Sequence, residues 1–190
     1  MRRTLALGVM AVLLCALAGA GCARGVAGAD PSPSASPVPT SSGSDVAEIY
    51  VQVLRRYLGT PGENSFPGTT FATVYVLDRA DPSAADPMGG SGSGAAIDAD
   101  TQRRIVAEVP PVTFVADRNS VLENQDRCAS VRNGGILVTL GTVDREGDAV
   151  HVGVNGFVAC LGATWLTYVL QQQPGSGWRV TGTTGSMAIA

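Results

Sequence analysis

The last third of the chain restricts the fold more than any other stretch. Four β-type runs follow one another closely, at 136–143, 150–161, 165–171 and 178–181. The first, ILVTLGTV, is apolar enough for a central strand. The second alternates, and WLTYVLQ follows it. The separators are short and carry glycine, DREGD at 144–148 and PGSG at 174–177, as hairpin connections do. The pattern predicts an antiparallel meander, with Gly153 or Gly156 marking a bulge.

Such a sheet needs a cover on at least one face, and the sequence supplies helices for it. Val46, Ile49, Tyr50, Val53 and Tyr57 recur at helical spacing, widened by Leu54 and Leu58. Asp45 is placed to cap this helix with Glu48 as its capping-box partner, and Gly59 and Pro61 stop it. A strand is expected at 71–77 and a loop at 78–94. A second helix is expected at 98–109, with Ile97, Ile105 and Val109 on one side, ended by Pro110 and Pro111. A short strand follows at 112–116. Helices early and a meander late predict an α+β domain over 45–190, two helices packed on an antiparallel sheet.

The first 44 residues contribute nothing to that core. Arg2 and Arg3 precede an apolar run from 5 to 17, and small residues lead into Cys22, which is the layout of an export signal over 1–21. Residues 22–44 are dominated by Pro, Ser, Ala and Gly, too polar and small to offset ordering entropy, and read as a tether. With Ala20-Gly21-Cys22, the leader resembles that of bacterial lipoproteins. The resemblance implies a diacylglycerol on the Cys22 thiol and an extracytoplasmic location on the membrane. Plain cleavage after Ala18-Gly19-Ala20 or Ala27-Gly28-Ala29 is the alternative, giving a secreted protein.

The hairpin Tyr168-Val169-Leu170, Gly-rich turn, Trp178-Arg179-Val180 is similar to the last hairpin of cystatin-like and nuclear-transport-factor-like cone folds. That resemblance covers about the last 55 residues. It implies a cone-like sheet and transfers no catalytic residue.

Charge and cysteines narrow the chemistry. All 13 basic residues are arginine, so lysine-based Schiff bases, P-loops and Ser-Lys dyads are excluded. Beyond the leader, 11 arginines face 16 acids, a net charge of −5. No basic stripe exists for phosphates, and nucleic acid is not expected as a partner. Cys15 lies in the leader and Cys22 is the lipid site. That leaves Cys128 and Cys160, expected as a disulfide in an oxidising compartment.

Candidate reactive groups are few. His151 is the only histidine, on a strand face opposite Val150, Val152 and Val154. It is expected to be solvated, with Asp144 or Asp148 as possible orienting acids in a catalytic reading. No GxSxG accompanies it, and Ser186 lacks an elbow pattern. The run from Gly89 to Gly94 lacks the lysine of a phosphate loop. Asp78, Asp81, Asp86, Asp98 and Asp100 cluster in sequence without the spacing of a calcium loop. No metal or cofactor is expected. Trp165, Tyr168 and Trp178, with His151, are candidates to line a pocket in a curved sheet. The expectation is an envelope-tethered, non-enzymatic module binding a protein or small molecule. The alternative is a small cone-fold hydrolase or isomerase using a carboxylate or His151 near Trp165 and Trp178.

Overall fold

A computed structural model describes residues 43–64, 66, 68–89, 94–124 and 128–190. The leader, Cys22 and the tether up to residue 42 lie outside the described residues. So do residues 90–93 of the glycine run.

The first helix, α1, spans Gly43–Gly59, starting inside the segment assigned to the tether. Asp45 therefore sits in its first turn, not at its cap. Ile49, Tyr50, Val53, Leu54 and Tyr57 are buried as the spacing predicts, and Ala47 and Val51 are buried as well. The buried face is wider than the stripe because α1 packs against a second helix as well as the sheet. Glu48 makes no capping box. Its Oε1 accepts the Trp178 N–H at 2.9 Å, tying the helix to the far end of the chain.

A single turn, α2 (Pro61–Asn64), follows α1. Strand β1 (Val74–Leu77) comes next, then the short pair β2 (Arg79–Ala80) and β3 (Ala95–Ala96). Helix α3 (Ala99–Glu108) is capped by Asp98, whose carboxylate accepts the N–H groups of Asp100 and Thr101 and the Thr101 hydroxyl. After it, Pro110-Pro111 has a cis peptide bond. Then come β4 (Val112–Val115), a 3-10 turn at Arg118–Val121, β5 (Leu122–Glu123), β6 (Ser130–Val131) and a second 3-10 turn. The long strands β7 (Ile136–Glu146), β8 (Ala149–Ala159), β9 (Gly162–Gln173) and β10 (Gly177–Ile189) complete the chain.

The fold is α+β. Its main sheet runs β10-β9-β8-β7-β1-β4. The four long strands form the expected antiparallel meander. The meander does not extend further: β1 lies parallel to both β4 and β7. The cause is connectivity. More than 30 residues containing α3 separate β1 from β4, and a crossover of that kind returns the chain in the same direction.

Strand parity sorts the residues to two faces. Val150, Val152, Val154, Leu166, Tyr168 and Leu170 face the helices and form the main core. On the opposite face a smaller core gathers Tyr75, Val121, Val131 and Leu137 under the 3-10 and β5–β6 segment. Gly156 stays in ladder register with both neighbouring strands, whereas Gly153 keeps register with β9 but stands opposite a register shift in the β7–β8 ladder, as the sequence allows. They are small because something lies against them. A Cβ on Gly156 would run into Tyr57 of α1, and one on Gly153 would lie 3.0 Å from the Ala85 nitrogen. The extra residue of that shift is on β7, between Leu140 and Val143, and Gly153 is the β8 residue that faces it. No helix among the described residues is long and apolar enough to cross a membrane.

The buried hydroxyls between α1 and the sheet make the domain sensitive to both pH extremes. Tyr168 Oη donates to Glu63 at 2.8 Å, Arg56 pairs with the same carboxylate, and the Tyr57 and Thr164 hydroxyls are bonded to each other. Burial pushes the Tyr57 phenol up to about 12, against a smaller opposing effect of its bond to Thr164. Burial, then its bond to Glu63 and the charge of that carboxylate, raise Tyr168 as well. At Glu63, burial works upward, but the bonds from Arg56 and Tyr168 outweigh it and hold the carboxyl below its ordinary value. The raised tyrosines stabilise below about pH 10, and that contribution is lost above it. Glu63 stabilises above about pH 4.3, and that contribution is lost as pH falls below it. Denaturation midpoints measured across pH should plateau between these limbs, and Tyr168→Phe should flatten the alkaline one. An alkaline limb of equal slope in Tyr168→Phe would exclude this network as its source.

Candidate functional site: a mixed-polarity cleft on the open face of the sheet

The 3-10 and β5–β6 segment covers only part of the face opposite the helices. Beside it lies a cleft of about 290 Å³. Its floor is built by strand parity. Leu137 and Thr139 of β7, Asn155 and Phe157 of β8, and Ala163 and Trp165 of β9 all project to this side.

One wall is the segment from Asp81 to Gly89, a chain of successive turns. The Asp81 N–H donates to the Leu140 carbonyl at 2.8 Å, where β7 is out of register. Irregularities of this kind commonly lie beside functional sites. The Asp81 carboxylate accepts the Ser83 N–H, the Asp86 carboxylate accepts the Met88 N–H, and Ala84, Asp86 and Gly89 donate to carbonyls three residues back. Asp-Pro turns such as these stiffen a loop through such bonds. The close seat of Ala85 on Gly153 presses this wall onto the sheet.

The other wall carries Arg118, held in the first 3-10 turn. Its guanidinium lies 5.8 Å above the Phe157 ring, within cation–π range. Among the described residues it has no carboxylate partner. Cys160 stands at the rim. It is bonded to Cys128, with Cα atoms 5.3 Å apart, as the cysteine inventory predicts. The bridge ties the end of β8 to the covering segment.

The four aromatic and histidine candidates do not come together. Trp165 alone lines the cleft. Tyr168 faces the helices and bonds Glu63, and Trp178 is 2% exposed on that same side with Arg145 over its ring. Their positions in β9 and β10 give them the core parity, whereas Trp165 has the opposite one. His151 is on the outer face, as expected, but two positions beyond Asn155 and past the Ala85 contact, and it does not line the cleft. Its acid is neither Asp144 nor Asp148: Nδ1 lies 3.1 Å from Glu146. Asp144 is its cross-strand neighbour in the register. The imidazole is 26% exposed and Glu146 77%, so His151→Ala should change stability by no more than about 0.5 kcal/mol. Chemical denaturation measures this, and a loss above about 2 kcal/mol would mean the ring is structurally committed.

The acids read as a possible calcium cluster do not converge. Asp98 and Asp100 belong to the start of α3, and only Asp81 and Asp86 reach the cleft. Among the described residues no three His, Cys, Asp or Glu side chains are grouped to hold a metal ion. The cleft-lining residues that the sequence does not single out are Arg118, Thr139 and Asn155. Only the last two carried a signal, being polar positions of opposite parity to the core within long strands. No family model, curated protein or solved structure matches the chain.

Proposed function

We propose that this is an extracytoplasmic domain, anchored to the membrane through a lipid on Cys22 and a Pro/Ser-rich tether, whose cleft binds a small ligand without transforming it. The anchor rests on the apolar leader, the Ala20-Gly21-Cys22 junction and the tether composition. The binding reading is carried by one observation: among its described residues the cleft offers recognition groups but no activated nucleophile–base pair. The only histidine stands outside it, the chain has no lysine, Cys160 is bridged, and Asp81 and Asp86 each accept a backbone N–H of their own turn. Covalent and acid–base mechanisms need a nucleophile or a base held within reach of the substrate and tuned for it.

The second reading is a small carboxylate enzyme. It is favoured by the presence of both Asp81 and Asp86 in one cleft beside Trp165. Turnover of a bound molecule, lost in both Asp81→Asn and Asp86→Asn, would establish it in place of the first.

The anchor is tested separately. In its native host the wild type should incorporate an alkyne-tagged fatty acid and fractionate with membranes. Cys22→Ser should lose the label and pass almost wholly into the medium, since stable attachment requires the acyl chains. A wild-type protein found soluble with its N-terminus near Asp30 would contradict the lipid anchor.

A further inference from the structure

We propose that the cleft is a saccharide site, taking a single neutral sugar ring with its flat C–H face toward Trp165 and its hydroxyls between Arg118, Asp86 and Asn155. This rests on the binding reading above and specifies its ligand class.

Three features of the cleft converge on that chemistry. The first is charge. The Arg118 guanidinium and the Asp86 carboxylate both line it, and neither is in an ion pair with another described residue. A fully anionic ligand would meet Asp86 and the buried Asp81, and a fully cationic one would meet Arg118. A neutral polyol satisfies both signs, because each hydroxyl donates and accepts. Asp86 Oδ1 is taken by the Met88 N–H, leaving Oδ2 for a ligand hydroxyl. Asn155 spends its Nδ2 on the Thr164 carbonyl at 3.0 Å, which fixes its amide and leaves Oδ1 as an acceptor. Hydrogen bonds to ionised groups are the stronger kind, so a site with both is suited to hydroxyl recognition.

The second feature is the aromatic surface. Phe157 is already covered by Arg118. Trp165, half-buried, is the aromatic side chain left with surface in the cleft. Indole offers a large apolar face together with an N–H donor, which matches a ring that is apolar on its faces and polar at its edge. The third is size. About 290 Å³ is the lower end of the roughly 300–1,000 Å³ typical of small-ligand clefts. That suits one ring rather than an extended peptide or an acyl chain.

The chain has two tryptophans. Trp178 is 2% exposed in the core, so fluorescence changes on ligand addition report Trp165. The full chain would be titrated with glucose, galactose, mannose and N-acetylglucosamine. Glucuronate and glucosamine would serve as the anionic and cationic counterparts. The expected result is a saturable change in emission with at least one neutral sugar, retained in Trp178→Phe. Binding should weaken at least about tenfold in Arg118→Gln and in Asp86→Asn, two exposed positions whose replacement leaves the core intact. Saturation by glucuronate or glucosamine alone would overturn the saccharide assignment while preserving the binding reading. No response to any sugar, with Trp165 quenched by acrylamide, would also overturn the assignment alone. No response together with a Trp165 that acrylamide does not reach would mean a closed cleft, and the binding reading would fall too.

Discussion

Gly156→Ala should destabilise the domain by about 3 kcal/mol, although it adds one methyl group in the middle of a regular strand. The reason is the seat of Tyr57. The new Cβ would overlap Tyr57 Oη and lie 2.6 Å from Cζ and 2.9 Å from Cε1. Tyr57 is fully buried on α1, with its hydroxyl bonded to Thr164. The ring cannot move away without breaking that bond and displacing its neighbours. Overpacking of this kind typically costs 1–3 kcal/mol, and here the polar bond is lost as well. For a domain of this size each kcal/mol lowers Tm by roughly 2–4 °C, so the melting temperature should fall by about 6–12 °C. Tyr57→Phe removes the worst overlap but leaves the ring carbons close. The double variant should therefore lose at least about 0.5 kcal/mol less than the two single losses added together. Strict additivity, or an unchanged Tm in Gly156→Ala, would mean that α1 does not press on β8 as described.

Breaking the Cys128–Cys160 bridge should cost about 3.7 kcal/mol by loop entropy alone, given its sequence separation of 32 residues. The loss should appear as a lower denaturant midpoint under reducing conditions and equally in Cys128→Ser/Cys160→Ser. It should also be felt at the cleft. The bridge holds the 3-10 and β5–β6 cover against the end of β8, and Arg118 rides on that cover above Phe157. Ligand affinity should therefore drop in the reduced protein under conditions where it remains folded. A midpoint that does not respond to reductant would show that the two sulfurs are not bonded in solution.

The parts of the fold legible in the sequence are those set by local periodicity. The α1 stripe, the proline stop and the long alternating runs all depend on neighbours within a turn or a hairpin. The parallel placement of β1 between β4 and β7 was not legible. Strand order across a crossover depends on which partner best buries the strand, and FATVYVL reads the same in either direction. Nor did the sequence reveal why Gly153 and Gly156 are small. Their partners, Ala85 and Tyr57, are far away along the chain. Glu48 has the spacing for a local capping bond and makes a distant one, to Trp178.

The cleft is harder to read for the same reason. Its walls come from the 81–89 turns, the Arg118 turn, three strands and the disulfide, and each piece alone resembles ordinary loop or strand. Parity was the available clue. In β9, Trp165 alternates away from Leu166, Tyr168 and Leu170, so it cannot share their core. In β8, Asn155 stands in the same relation to Val154. Grouping the three aromatics as one pocket ignored that alternation.

The most direct test of the binding reading is a residue-resolved map. The ¹⁵N-labelled protein would be titrated with a library of neutral, anionic and cationic small fragments, followed by amide and indole chemical shifts. The account predicts saturable shifts confined to the Asp81–Gly89 wall, Arg118, Asn155 and the Trp165 indole N–H, with the fragments recovered chemically unchanged. Shifts centred on His151, elsewhere outside the cleft or nowhere at all, or fragments consumed during the titration, would contradict it.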